Sequence, residues 1–243
     1  MSEPFELSSQ PGRSSTSVVT DRDAVEMRFA QIHETLSAAL LREANEHGYR
    51  ARIEATELHA PTAAGTLHWH AVLYQVRLAL AALGWNPLDQ QNCPFIVSPD
   101  RQVAIAVMTG DADTGLEMGS PTNQASKGKV LREAVDRNRQ LEMFDPATDP
   151  ATVASLAKSK GATQLWILLY HVAVGVDGKP ELRAELSSPL RFARKKIVEW
   201  SERLILEAIR PESEPFMDQD SPTGPIEPTG PIDVPVERRT GTQ

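Results

Sequence analysis

Cysteine is nearly absent from this chain. One residue in 243, Cys93, is a cysteine. That excludes an intramolecular disulfide and a zinc site built on cysteine pairs. It fits a reducing compartment. Cys93 itself stands beside Pro94 at the entrance to an expected strand, so its reading is structural. Long hydrophobic runs are missing as well. The longest, such as Leu165–Tyr170, fall far short of the ~20 residues that cross a bilayer. The opening residues, MSEPFELSSQPGRSSTS, have no basic start, apolar centre or small-residue cleavage site, so they do not read as a secretory signal. The expectation is a cytoplasmic protein with no membrane association.

Excess positive charge is lacking too. The formal net charge is −8, from 25 Lys and Arg against 33 Asp and Glu. From Pro211 to Gln243 there are seven acids and two bases, so five of the eight net charges lie in this tail. The body is near neutral. It offers no broad basic field to attract nucleic acid.

Several catalytic signatures are also missing. There is no Gly-x-Ser-x-Gly and no dinucleotide fingerprint. Gly128-Lys129 resembles the end of a phosphate loop. However, Asn123 stands where the first glycine belongs and Val130 where Ser or Thr should follow, which excludes a Walker-type site. Asp111 and Asp113 could begin a calcium loop, but position 12 is Thr122 instead of Glu. His68 and His70 lie on an expected helix, pointing about 200° apart, so they do not share a metal. His171, on an apolar strand face, reads as a hydrogen-bonded core residue. No metal site is predicted.

What is present is a patterned α+β chain. Residues 1–19 are polar and read as disordered. Thr20-Asp21-Arg22-Asp23 resembles a capping box and opens a helix over about 21–47. Its stripe is Val25, Phe29, Ile32, Leu36 and Leu40, with Gly48 as a left-handed cap. Arg50–Leu58 alternates and reads as an edge strand. Thr66 can cap a helix over about 66–83, whose apolar face holds Trp69, Val72, Val76 and Leu80. Residues 94–108 form a hairpin turning at Ser98-Pro99-Asp100-Arg101. Further helices are expected at about 126–143, at 151–160 and at about 195–208.

The strongest strand is Gln164–Val174, QLWILLYHVAV, apolar on both faces. Asp177-Gly178 turns it into a return strand at 181–187. A two-residue turn sets His171 opposite Ala184 and Leu169 opposite Leu186, which keeps Glu185 away from Leu169. The predicted fold is therefore a single α+β domain over 20–210. An antiparallel sheet from two hairpins is covered on both faces by about four helices. The tail, 211–243, repeats Pro-Thr-Gly-Pro-Ile-acid at Pro222 and Pro228 and reads as disordered.

Function concentrates on Thr109-Gly110-Asp111-Ala112-Asp113-Thr114-Gly115, a polar loop leaving a buried strand. Two lysines then flank the start of a helix, where free amides favour an anion. The candidate ligand-binding residues are Thr109, Asp111, Asp113, Thr114, Lys127 and Lys129. The favoured reading is a binding or adaptor protein that uses this loop to recognise a protein partner or a second copy of itself. The alternative is a metal- or phosphate-directed enzyme on the same loop. In its nuclease-like form, Asp111 acts with Glu181 or Glu185. No cofactor is predicted, and Mg²⁺ enters only under the enzyme alternative.

Overall fold

A computed structural model describes residues 16–142 and 163–211. The expected helix at 151–160 and the repeat-bearing tail from 212 lie outside these residues. The elements in order are β1 Ser17–Val19, α1 Arg22–Ile32, α2 Ala38–Ile53, α3 Ala63–Ala81, β2 Asn86–Gln90 and β3 Cys93–Val97. There follow β4 Val103–Thr109, α4 Lys129–Glu142, β5 Gln164–Val174, β6 Pro180–Ala193 and β7 Lys196–Ile205. The strands make one sheet in the order β1-β7-β6-β5-β4-β3-β2.

The α+β class holds; the wholly antiparallel sheet does not, and four helices lie among the described residues but not at the four expected places. The β3–β4 and β5–β6 hairpins form, but they meet through a parallel pair, β4 beside β5. The chain crosses between those two strands by way of α4, as a parallel pair requires. A second parallel pair joins β1 to β7. Ser17–Val19 therefore belong to the sheet, although their polar surroundings read as disordered.

Alternation on the central strands makes two apolar faces. On one, Val103, Ile105, Val107, Trp166, Leu168 and Tyr170 pack beneath α1, α2 and α3 through Phe29, Leu41, Val72, Val76 and Leu80. On the other, Ala106, Met108, Leu165, Ile167 and Leu169 pack against Leu131, Ala134 and Val135 of α4. This is the double coverage that two apolar strand faces require.

Three expected elements differ. The helix at 21–47 is two helices, because the chain between them spends its hydrogen bonds locally. Ser37 Oγ caps α2 by accepting from Leu40 N, and the Glu26 carboxylate accepts from Ala38 N. Gly48 is no cap. It lies inside α2, which runs on through the expected edge strand at Arg50 as far as Ile53. A β-carbon on Gly48 would stand 2.3 Å from Val72 Cγ2 and 2.4 Å from His68 Cδ2, so glycine permits the α2–α3 approach.

The expected helix at 195–208 is β7. It follows a tight turn in which Arg194 and Lys195 both have positive φ, 50° and 65°. Such turns usually carry Asn or Gly, so no local signal marks this one. Ile197 and Trp200 share the α4 face although three residues apart, because the β6–β7 register shifts between Ser188 and Phe192. That spacing imitates a helical stripe.

The β5–β6 register is one residue from the expected one. Leu169 stands opposite Glu185, and His171 opposite Arg183. The connection is five residues, 175–179, with Gly178 at φ 77° and Gly175 N donating to Lys179 O. A one-residue shift of register moves every β6 side chain to the other face.

Pro189 lies inside β6, between two neighbours, where a proline cannot donate to the ladder. Asn138 of α4 repairs the gap. Its Oδ1 accepts from Leu165 N at 2.8 Å, and its Nδ2 donates to Leu165 O at 2.8 Å and Pro189 O at 3.2 Å. Asn138→Ala should lower the unfolding free energy by about 2 kcal/mol, since water entering the space left recovers part of the lost bonds, which include one to Ser188 Oγ at 3.3 Å. Urea titration against wild type measures this, and a change below about 0.5 kcal/mol would show that Asn138 does not bridge the strands.

Candidate functional site

The loop after β4 folds back over the α4 face of the sheet, beyond the end of that helix. A buried ion pair holds it there. Arg203 of β7 and Glu185 of β6 are 2% and 0% exposed, with Nη2 and Oε2 2.5 Å apart. Arg203 also donates to Gly119 O at 2.8 Å and Leu116 O at 3.0 Å. Glu185 Oε2 accepts from Gly115 N at 2.9 Å. Gly115 takes φ 73°, and a β-carbon on it would stand 2.8 Å from Arg183 Cβ, so glycine is required at this contact. Trp200 Nε1 donates to Pro121 O at 2.8 Å. The two loop strands meet at a Gly110–Asn123 bridge. Buried Asn123 then accepts from Ile197 N.

The six candidate residues part company in this arrangement. Asp111 and Asp113 serve the loop itself. Asp111 accepts from Asp113 N at 3.3 Å and Thr122 N at 3.2 Å; Asp113 accepts from Ser120 N at 3.0 Å. These are turn-closing carboxylates. Thr114 is fully buried beneath the loop. Lys129 opens α4 and pairs with Glu133 at 3.4 Å. Thr109 and Lys127, the two ends of the loop, do come together with other groups.

They line an open groove of about 860 Å³ at the carboxyl ends of β4 and β5, beneath the start of α3. Parallel strands commonly present their binding crevice at this end. Thr109 Oγ1 donates to the Tyr170 hydroxyl at 2.9 Å. Two hydroxyls sharing one bond leave one O–H unspent. Burial pushes the Tyr170 phenol up to about 12, against the opposing effects of Thr109 and the Arg52 charge, so it stays neutral. The His68 ring stacks on Tyr170 at 4.4 Å and 22°.

His68 is 1% exposed, and Asn45 Oδ1 lies 3.1 Å from its Nε2. Burial first, then the Arg52 charge, pushes its pKa down to about 4. The ring is therefore neutral, protonated on Nε2 to meet the Asn45 carbonyl oxygen. Its Nδ1 carries a lone pair with no partner among the described residues.

Arg52 and Lys127 supply the groove's fixed charge. Neither forms an ion pair among the described residues. Burial lowers the Lys127 pKa, which the Cys93 thiol opposes and Lys196 reinforces. Lys196 Nζ in turn donates to the carbonyls of Asn123 and Gln124, the latter at 2.6 Å. His171 Nδ1 sits 3.3 Å from Gly110 O, and His70 packs edge-on against Trp69. No Asp or Glu is among the lining residues.

Arg52 and Tyr170 carry no sequence signal as site residues. Arg52 reads as part of an edge strand, and Tyr170 as one residue of an apolar face. Among the described residues no group of three or more His, Cys, Asp or Glu is placed to hold a metal ion. No described helix is long and apolar enough to cross a membrane. No protein-family model, curated protein or solved structure matches the chain.

Proposed function

We propose that this is a binding protein, and that its ligand seats in the groove at the carboxyl ends of β4 and β5. The observation that carries the reading is the composition of that groove: cationic and hydroxyl donors gathered on rigid elements with no lining carboxylate. Its volume falls within the roughly 300–1,000 Å³ of small-molecule sites, which favours a small ligand over a flat protein surface. The expectation of a protein partner drew on the acidic tail, which lies outside the described residues. The loop between β4 and α4 keeps a role, but through its ends. Its aspartates hold the loop closed, while Thr109 and Lys127 face the ligand.

The enzyme alternative calls for Asp111 and Asp113 as acid–base or metal groups. Both are committed to loop amides, so the binding reading is the better supported. The test is a thermal-shift screen of the full chain against a panel of metabolites, with the panel assayed afterwards for turnover. Gly65→Trp is the control. Gly65 lines the groove, and a β-carbon there meets nothing within 4 Å, so a bulky side chain is admitted at the groove wall. The expected result is a compound that stabilises wild type, fails to stabilise Gly65→Trp and is recovered unchanged. Consumption of the compound, or a shift that persists in Gly65→Trp, overturns the reading.

A further inference from the structure

We infer that the groove's ligand carries a dianionic oxyanion, of the phosphate monoester type, held by Arg52 and Lys127. This rests on the groove being the binding site and goes on to name what it binds.

The argument begins from charge that has no partner. The chain is acidic overall, and many of its described basic side chains find carboxylates. Arg28 pairs with Glu202, Arg77 with Asp89, Arg183 and Arg210 with Glu181, and Arg203 with Glu185. Arg52 and Lys127 are half-buried, line one groove and have no such neighbour. Holding two partly desolvated cations without an anion is unfavourable. A ligand that brings about two negative charges relieves it. A phosphate monoester carries −1.5 to −2 near pH 7, whereas a single carboxylate brings one.

The donor types in the groove suit the same group. A guanidinium offers paired donors to two oxygens of a phosphate, and an ammonium adds a point charge. The Thr109–Tyr170 pair has one O–H to spend on a third oxygen. The first turn of α3 also contributes: Ala64 and Gly65 line the groove at the helix start, where Thr62 provides no side-chain cap. His68 lies in the same wall, neutral and buried, so the groove's charge is that of Arg52 and Lys127.

The test uses inorganic phosphate as the probe on the full chain, in a phosphate-free buffer at pH 7.5. Sodium chloride and sodium acetate are matched in ionic strength. Wild type should show a saturable rise in Tm with phosphate, above both controls. Arg52→Gln and Lys127→Gln should each weaken the apparent affinity at least tenfold without lowering the Tm measured in the absence of phosphate. Gly65→Trp should abolish the response. No rise above chloride, an equal rise with acetate, or a rise unchanged in both glutamine variants overturns the inference. The groove reading then stands or falls separately, on whether Gly65→Trp removes the binding of an uncharged compound found in the screen. A phosphate response that survives Gly65→Trp overturns both.

Discussion

Replacing Arg203 with methionine should lower the unfolding free energy by about 3–5 kcal/mol, the scale on which a buried charge left without its partner destabilises a fold. Methionine keeps most of the aliphatic stem, so the cavity is small and the loss is electrostatic. Glu185 is fully buried and cannot rehydrate in place. It would retain Gly115 N and the Ser187 hydroxyl as donors, at 2.9 Å and 2.7 Å. It would lose both bonds from the guanidinium, and Leu116 O and Gly119 O would lose theirs. Glu185→Leu combined with Arg203→Met should recover part of the loss, because two apolar side chains leave no unpaired charge. The loop carbonyls remain orphaned, so recovery is incomplete. Urea unfolding of the two single variants and the double variant closes the cycle. A single-variant loss under about 1 kcal/mol would mean that the loop lifts and hydrates Glu185 at little cost.

This ion pair also explains how part of the fold escaped the sequence. A glutamate opposite Leu169 looks like an error of register when only β5 and β6 are compared. Its partner is eighteen residues further on, in a segment whose apolar spacing imitates a helix. Three local irregularities hide that strand: the Arg194-Lys195 turn without Asn or Gly, the shifts around Pro189, and the isolated basic run at 194–196. None can be read without the tertiary contacts that compensate them. Where local and tertiary preferences agree, the pattern was legible. The alternating apolar strands 103–108 and 164–174 and the stripes Trp69–Leu80 and Leu131–Val135 each fold as their periodicity requires.

The candidate site was legible by halves for a similar reason. Sequence finds the loop because Asp, Thr and Gly cluster there, but clustering does not separate a ligand donor from a turn-closing side chain. The carboxylates at Asp111 and Asp113 accept from amides two to eleven positions away, so their role is local. Thr109 and Lys127 act over longer range. Thr109 meets Tyr170, and both share a groove with Lys127 and Arg52, only because β4 lies beside β5 and α2 runs past Gly48. A helix ending at residue 47 would have taken Arg52 away from the groove altogether.

Stability should fall by about 3 kcal/mol more in wild type than in His68→Gln as the pH is lowered from 7 to 4. The folded His68 titrates at about 4, below its ordinary value of 6.5. A histidine depressed in this way binds its proton first in the unfolded chain. Its contribution is therefore fully present above about 6.5, is lost as the pH falls through the window, and levels off below about 4. Glutamine cannot titrate, and it keeps an amide donor for Asn45. It costs stability at every pH but leaves the slope free of this residue. Urea midpoints at low protein concentration are the suitable measure, since the isoelectric point of about 5.3 falls inside the window. Equal slopes for the two proteins would place His68 in water and undo the packing against Gly48 and Tyr170. The second cause of the depression gives a sharper control. Arg52 lowers the His68 pKa through its charge, so Arg52→Gln should narrow the window from its acid end. An anion seated on Arg52 should act in the same direction. Phosphate would then raise the His68 pKa in wild type and need at least tenfold higher concentration to do so in Arg52→Gln, so a buried ring in the groove wall reports on the charge beside it.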